Sequence, residues 1–261
     1  MILVLAGTSD ARELALRIQA AGYPLLCTVV TESAAASLEE AGLPVQTGRL
    51  NAEQLRGLIA DRGFRAVVDA SHPFAEEASR NAMAAAEGAG VSYVRYERER
   101  GQYAAHPKLH FVDDYEQAAN LAAEKRGTIL LTTGSKTLQI FTEKLLGQPD
   151  TTLVARMLPR KDNMEKCEAL GLPQKHIIAM QGPFGKELNQ AMYKHYGVTT
   201  IITKESGQVG AVEEKLSAAL ELDIDTIVIG RPQLEYGVTH SDFEGVTAEL
   251  SAMELLQEVR D

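Results

Sequence analysis

What most constrains this chain is an alternation that runs almost its whole length. A short apolar run without polar interruption gives way to a turn of Gly, Ser, Thr and charged residues, and then to a segment with helical spacing. The first apolar run is residues 2–5, ending in Ala6-Gly7-Thr8, with Ser9 or Asp10 able to cap a helix carrying Leu14, Leu16 and Ile18. Further runs of this kind fall at residues 25–30, 44–46, 66–70 and 91–96, then at 128–132, 152–156, 176–180, 199–203 and 226–229. Helical segments separate most of them: Asn51 can cap one carrying Leu55, Leu58 and Ile59, residues 114–125 form another, and residues 247–259 close the chain. Strands that are apolar on both faces must be covered on both faces, which means parallel pairing between helices. Right-handed crossovers then wind such a sheet doubly.

The pattern lapses once, over residues 97–110, where charged residues cluster with Gly101 and Pro107. That lapse is the expected boundary between two α/β halves of similar plan, residues 1–98 and 99–261. The fold class is therefore α/β, as two Rossmann-like halves with mostly parallel sheets and a cleft between them.

Composition narrows the function. Of 261 residues, 45% are hydrophobic, and 26 basic against 36 acidic side chains give a formal charge of −10. This disfavours general nucleic-acid binding, which needs a basic face, but leaves room for a local anion pocket. No apolar run is long enough to span a bilayer, and the N-terminus lacks the positive region of a signal peptide. Cys27 and Cys167 have no metal-ligand or redox spacing, so no metal site is expected. Both read as core residues of a reduced, cytoplasmic protein.

In open parallel sheets, ligands bind beyond the carboxyl ends of the strands, so the strand-end loops hold the candidates. Gly7, Thr8 and Ser9, followed by Arg12, suit a diphosphate at a helix start, although Ser9 and Arg12 stand where GxGxxG would have glycines. Glu32 follows the second strand, where an acid can hold a ribose hydroxyl and repel a 2′-phosphate; the plainer alternative is a capping or solvated glutamate. Ser71, His72 and Pro73 end another strand, with His72 able to bond a phosphate or move a proton. Gly134, Ser135 and Lys136 form a second anion candidate without the frame of a P-loop. Arg95, Arg98 and Arg100 cluster at the boundary. Arg156, with Arg160 and Lys161 nearby, then Lys204 and Arg231 place cations at successive strand ends. Each alone reads as surface; together they suit a ligand bearing several negative charges.

Taken in order, GTSDAR, DASHPFA, RYERE, LLTTGSKTL, ARMLP, QGPF and TKESG resemble the precorrin-6A reductase family of corrin biosynthesis, across most of the chain. One departure is the stretch 207–211, where the family pattern would carry a fuller glycine pair. The resemblance implies reduction of one double bond of (cobalt-)precorrin-6A to (cobalt-)precorrin-6B in cobalamin synthesis, with NADH or NADPH as hydride donor and no protein-bound metal. Residues 1–98 would then be the dinucleotide-binding domain, and residues 99–261 would complete the cofactor and tetrapyrrole cleft. Gly7, Thr8, Ser9, Arg12, Glu32, Ser71, His72, Pro73, Gly134 and Ser135 would face the cofactor. Arg95, Arg98, Lys136, Arg156, Lys204 and Arg231 would meet the carboxylates of the macrocycle, and His72, Lys136, Glu205 or bulk water at the ring edge would deliver the proton. Other corrin-pathway enzymes are candidate partners for substrate hand-over. The residues alone leave two alternatives open: a non-catalytic two-lobed protein that binds a nucleotide or anionic metabolite, and a group-transfer enzyme on the same topology.

Overall fold

The structure, a computed structural model, describes residues 1–205, 207 and 212–253. The chain forms two compact units, one joining Met1–Glu99 to the stretch that starts at Gln233, the other comprising Arg100–Pro232.

The first unit contains a six-stranded, fully parallel sheet. Its strands are β1 (Ile2–Leu5), β2 (Leu25–Val29), β3 (Val45–Thr47), β4 (Ala66–Asp69) and β5 (Ser92–Tyr96), with β12 (Thr239–His240) at one edge. Both faces of β1 are core. Ile2 and Val4 pack with Leu14 and Ile18 of α1 (Ser9–Ala20) and with Val246 and Leu250 of α10 (Phe243–Ala252). Leu3 and Leu5 face the other way, onto Leu55 and Ile59 of α3 (Ala52–Arg62) and Ala82 and Ala85 of α4 (Glu76–Ala89). Period-two alternation with apolar residues at every position thus produces burial on both sides. The α1 cap is Thr8, one residue earlier than expected, whose Oγ1 accepts the Ala11 N–H at 3.3 Å. Asn51 caps α3 as expected and forms a reciprocal pair with Gln54.

The second unit repeats the plan with β6 (Leu109–Val112), β7 (Gly127–Leu131), β8 (Thr151–Met157), β9 (Ile177–Ala179), β10 (Thr200–Lys204) and β11 (Asp225–Ile229). Leu130, Val154 and Ile201 meet Met192 and Tyr193 of α8 (Lys186–Tyr196) and Ala218 and Ala219 of α9 (Val212–Leu220). The other face carries α5 (Tyr115–Lys125) and α6 (Leu138–Leu145).

The strand orders, β12-β5-β4-β1-β2-β3 and β6-β11-β10-β7-β8-β9, share one topology. Each is the dinucleotide-fold order with its sixth position filled by a strand out of sequence. After β5 the chain leaves, and β6 completes the second sheet by pairing with β11; after β11 it returns, and β12 completes the first by pairing with β5. The expected division at residue 99 therefore needs a correction at the far end: residues from Gln233 belong with the first unit, not the second. The reason is that α10 contributes Val246 and Leu250 to the core around β1, and β12 borrows the open edge of β5. Among the described residues, two strands and one α-helix escaped the sequence pattern. These are β6, the two-residue β12, and α7 (Lys161–Ala169), whose charged sequence KDNMEKCEA buries only Asn163 and Cys167. The expected closing helix is seen as Phe243–Ala252, and its predicted residues Leu255 and Leu256 lie outside the described residues. Cys27 and Cys167 are free and fully buried, as core residues should be.

Candidate functional site

In a doubly wound sheet the ligand crevice lies where the strand order reverses direction. In the first unit that point is between β1 and β4, and in the second between β7 and β10. These four strand ends carry GTS, SHP, TGSK and KE, so most of the expected site residues fall at the two switch points.

At the first switch point Gly7 has φ +142°, a backbone conformation that favours glycine, and the space its missing Cβ would take is open. Ser9 is exposed at the start of α1. An open glycine before an accessible helix start fits the phosphates of a dinucleotide. Arg12 does not point freely outward: its Nη1 donates to Ser37 Oγ on α2 (Glu32–Glu40) at 2.7 Å. Glu32 is exposed immediately after Thr31, which caps α2. At the end of β4, His72 Nδ1 accepts the Phe74 N–H at 3.2 Å, and Pro73 is buried.

Below this loop lies a closed ionic network. Asp69 and Arg95 are both fully buried, 3.0 Å apart, and Arg95 also meets Glu97 at 2.5 Å and Ser71 Oγ at 3.2 Å. Tyr93 donates to Asp69 Oδ2 at 2.7 Å, the Ser71 N–H donates to Oδ1 at 2.9 Å, and the Tyr236 ring lies 4.9 Å from the Arg95 guanidinium. Burial by itself would raise the Asp69 carboxyl, but Arg95 and its hydrogen-bond donors outweigh it and hold the group below its ordinary value. Arg95 is thus a correction to the sequence reading: it is enclosed and neutralises Asp69 and Glu97, so it is not placed to clamp a substrate carboxylate. Arg98, also expected to meet substrate, pairs instead with Asp10 in the first turn of α1 at 2.8 Å.

At the second switch point Gly134 has φ +80°, Ser135 Oγ donates to Asn163 Oδ1 at 2.5 Å, and Lys136 is exposed. The hydroxyls of Thr133 and Thr137, on either side of Gly134-Ser135-Lys136, are buried without a partner among the described residues. Orphaned donors beside an α6 start that no side chain caps leave hydrogen-bonding capacity for a ligand. Lys204 lies over the Tyr115 ring, and burial, with repulsion from Lys136, lowers it to about 8.

Glu205, expected as a proton donor, is 5% exposed and acts as an acceptor throughout. It takes the Gly101 N–H at 3.0 Å, the Gly207 N–H at 2.9 Å, the Tyr103 hydroxyl at 3.4 Å and the guanidinium of Arg231. Burial favours its protonated form, yet the Gly101 amide and Arg231 prevail and hold it below the ordinary carboxylate range. A carboxylate so held carries no proton at neutral pH, which removes Glu205 as donor; Arg231, 6% exposed, is committed to it. Arg156 is also 6% exposed, with its Nη1 on Asn189 Oδ1 at 2.7 Å and its guanidinium 4.1 Å from the Phe184 ring. Of the departure noted at 207–211, Gly207 is described and residues 208–211 lie outside the described residues. Tyr103, Thr133, Thr137, Lys215 and Tyr236 were not singled out from sequence, and Asp10 only as a possible helix cap. Each occupies an ordinary helix or loop context, and only the folded neighbourhood marks it.

Two parallel sheets in dinucleotide-fold order, each bringing glycine, hydroxyls or cations to its switch point, define a class by fold: proteins built of two Rossmann-like units. Residues 1–251 match the family described as precorrin-6x reductase CbiJ/CobK. The chain belongs to this family, one of oxidoreductases of cobalamin synthesis. It is 58% identical over 246 residues to the cobalt-precorrin-6A reductase of Priestia megaterium, covering 94% of this chain and 96% of that one. The cobalt-precorrin-6A reductase of Salmonella typhimurium is 37% identical over 88% of this chain and 87% of its own. Among solved structures, CobK precorrin-6A reductase has the same fold, with a TM-score of 0.76 and 24% identity over 96% of each chain.

Proposed function

We propose that this chain reduces one double bond of cobalt-precorrin-6A to give cobalt-precorrin-6B, with NADH as the favoured reductant. The observation that carries the substrate is the 58% identity, over nearly the whole of both chains, to a cobalt-precorrin-6A reductase. The geometry supports it: reduction by a nicotinamide needs no protein nucleophile, only binding groups and a dry, fixed alignment. When bound, reduced nicotinamide supplies a hydride, and the ring gains a proton in addition.

The chain's own residues have the following parts. Gly7 leaves backbone room, and Thr8 and Ser9 open the α1 start toward a diphosphate. Glu32 accepts from a ribose hydroxyl and repels a 2′-phosphate, which is why NADH is favoured. Lys136 and Lys204 counter macrocycle carboxylates. With Glu205 excluded by its ionised state, proton delivery falls to His72 or Lys136.

The test is anaerobic turnover with cobalt-precorrin-6A, followed at the nicotinamide absorbance. Oxidation of NADH only when the tetrapyrrole is present is the expected result. No oxidation with either NADH or NADPH removes the proposal, and preference for NADPH removes the role given to Glu32.

A further inference from the structure

The second unit contains a buried and a partly buried cation that the reading above leaves without a counter-charge. Arg156, at the end of β8, is 6% exposed, and its polar partners are the neutral Asn189 and the Met192 sulfur. Lys215, in the first turns of α9, is partly buried, and its Nζ bonds the hydroxyl of the fully buried Thr203 at 3.0 Å. Among the described residues, neither makes an ion pair with an acidic side chain. Thr203 and Ile201 alternate with Ile202 and Lys204 along β10, so Thr203 points to the α8–α9 face, where Val154 of β8 also packs. Arg156 shares the face of Val154, two residues before it. The two cations therefore lie on one face of the sheet, near its carboxyl edge, with β7 between β8 and β10.

The charged and titratable groups around them are Arg156 from β8, Lys204 from β10 and Tyr193 from α8. Burial, then repulsion from Arg156 and Lys204, lowers Lys215 to about 7. Burial likewise works against the charge of Arg156, and it pushes Tyr193 up to about 12, so no anion arises there near neutrality. Two like charges withdrawn from water without an acid are costly. Two other buried arginines are matched, Arg95 by Asp69 and Glu97 and Arg231 by Glu205.

We propose that Arg156 and Lys215, steadied by Asn189 and Thr203, form an oxyanion-binding subsite of the second unit that accepts a carboxylate or phosphate group. The ligand identity rests on the proposed reductase reading; the existence of the subsite does not. The guanidinium offers a planar fork and the ammonium a compact charge, which is a combination suited to one oxyanion.

The first measurement uses inorganic phosphate and acetate as probes, at constant ionic strength set with chloride. Thermal melting of the full chain should rise with either probe, more at pH 6 than at pH 9, where Lys215 is neutral. Lys215→Met and Arg156→Met should lose most of that rise. Should a variant fail to fold, the unmutated protein with 13C-methylated lysines still decides: the Lys215 signal should titrate at higher pH when phosphate or acetate is added. Equal rises in wild type and both variants, or a Lys215 signal indifferent to both probes, overturns the proposal.

Two arms identify the natural oxyanion. A substrate carboxylate predicts that Lys215→Met raises the KM for the tetrapyrrole about tenfold, the loss of one charge-assisted bond, with NADH affinity unchanged. A dinucleotide phosphate predicts the reverse. Probe binding without wild-type turnover would sink the reductase reading alone; turnover without probe binding would sink the subsite alone.

Discussion

The two units have the same strand order and spend their charges differently. In the first, the buried cations at the strand ends are neutralised from within: Arg95 by Asp69 and Glu97, Arg98 by Asp10. In the second, Arg231 is matched by Glu205, whereas Arg156 and Lys215 face no acid among the described residues. One topology thus supports a frame that is electrostatically complete and another that is complete only when an anion arrives. Strand order decides where a ligand crevice lies, and charge matching decides what kind of ligand each crevice is left wanting.

The largest test of this contrast is Arg95→Leu. It takes the guanidinium away from the fully buried Asp69, and should cost roughly 3–5 kcal/mol in denaturant unfolding. A cost below about 1 kcal/mol would show that the network is not what completes the first unit. Glu205→Gln comes next, because it keeps the shape but leaves Arg231 with a neutral partner; a loss of about 2–3 kcal/mol is expected. The same variant should leave the pH profile of turnover in place, since an ionised Glu205 donates no proton. A profile that loses its acidic or basic limb would restore it as a catalytic group.

The pH dependence of stability separates the units more finely. Lys215 has a folded pKa of about 7, below the unfolded lysine value of about 10.4. Between those values the unfolded chain binds more protons than the folded one, so stability rises with pH across that window. The slope cannot exceed about 1.4 kcal/mol per pH unit for one proton. Comparing wild type with Lys215→Met by melting from pH 7 to 10 should show a steeper rise in the wild type, since Lys204 contributes to both curves. A parallel pair of curves would mean that Lys215 keeps an ordinary pKa. The smallest effect concerns the helix starts. Thr8→Ala removes the α1 cap and should cost about 1 kcal/mol. Thr137→Ala, at the corresponding start of α6, removes a hydroxyl that caps nothing and should cost close to none. If both cost the same, the unused hydroxyl at the second switch point has a partner after all.

Much of the site was legible before folding was considered. Gly7, Ser9, Ser71, His72, Gly134, Ser135, Lys136 and Lys204 were singled out because polar residues directly after apolar strands lie at a carboxyl edge, and the two switch points are where they fall. What could not be read was which of these cations has an acid beside it. Arg95 and Arg231 look like Lys136 in sequence, yet the first two are enclosed by the carboxylates of Asp69 and Glu205, each 26 residues earlier in the chain, with Glu97 adding to the first. Lys215 carries the opposite lesson, for within an amphipathic helix a lysine is unremarkable. Only the arrival of Arg156 from β8 shows that its charge is unmatched.

The sequence by itself determined the elements and their kind. Local apolar runs, turn residues and caps act through neighbours a few residues away, so parallel α/β architecture and strand-end chemistry follow from them. Tertiary structure alone decided the exchange of sixth strands between the sheets and the pairing of buried charges. The first joins strand edges more than a hundred residues apart, and the second depends on partners that lie 26 or 88 residues apart for Asp69, Glu205 and Asp10. A short strand such as Thr239–His240 carries no mark of which sheet it will join, because an open sheet edge offers backbone hydrogen bonds that are the same for any sequence.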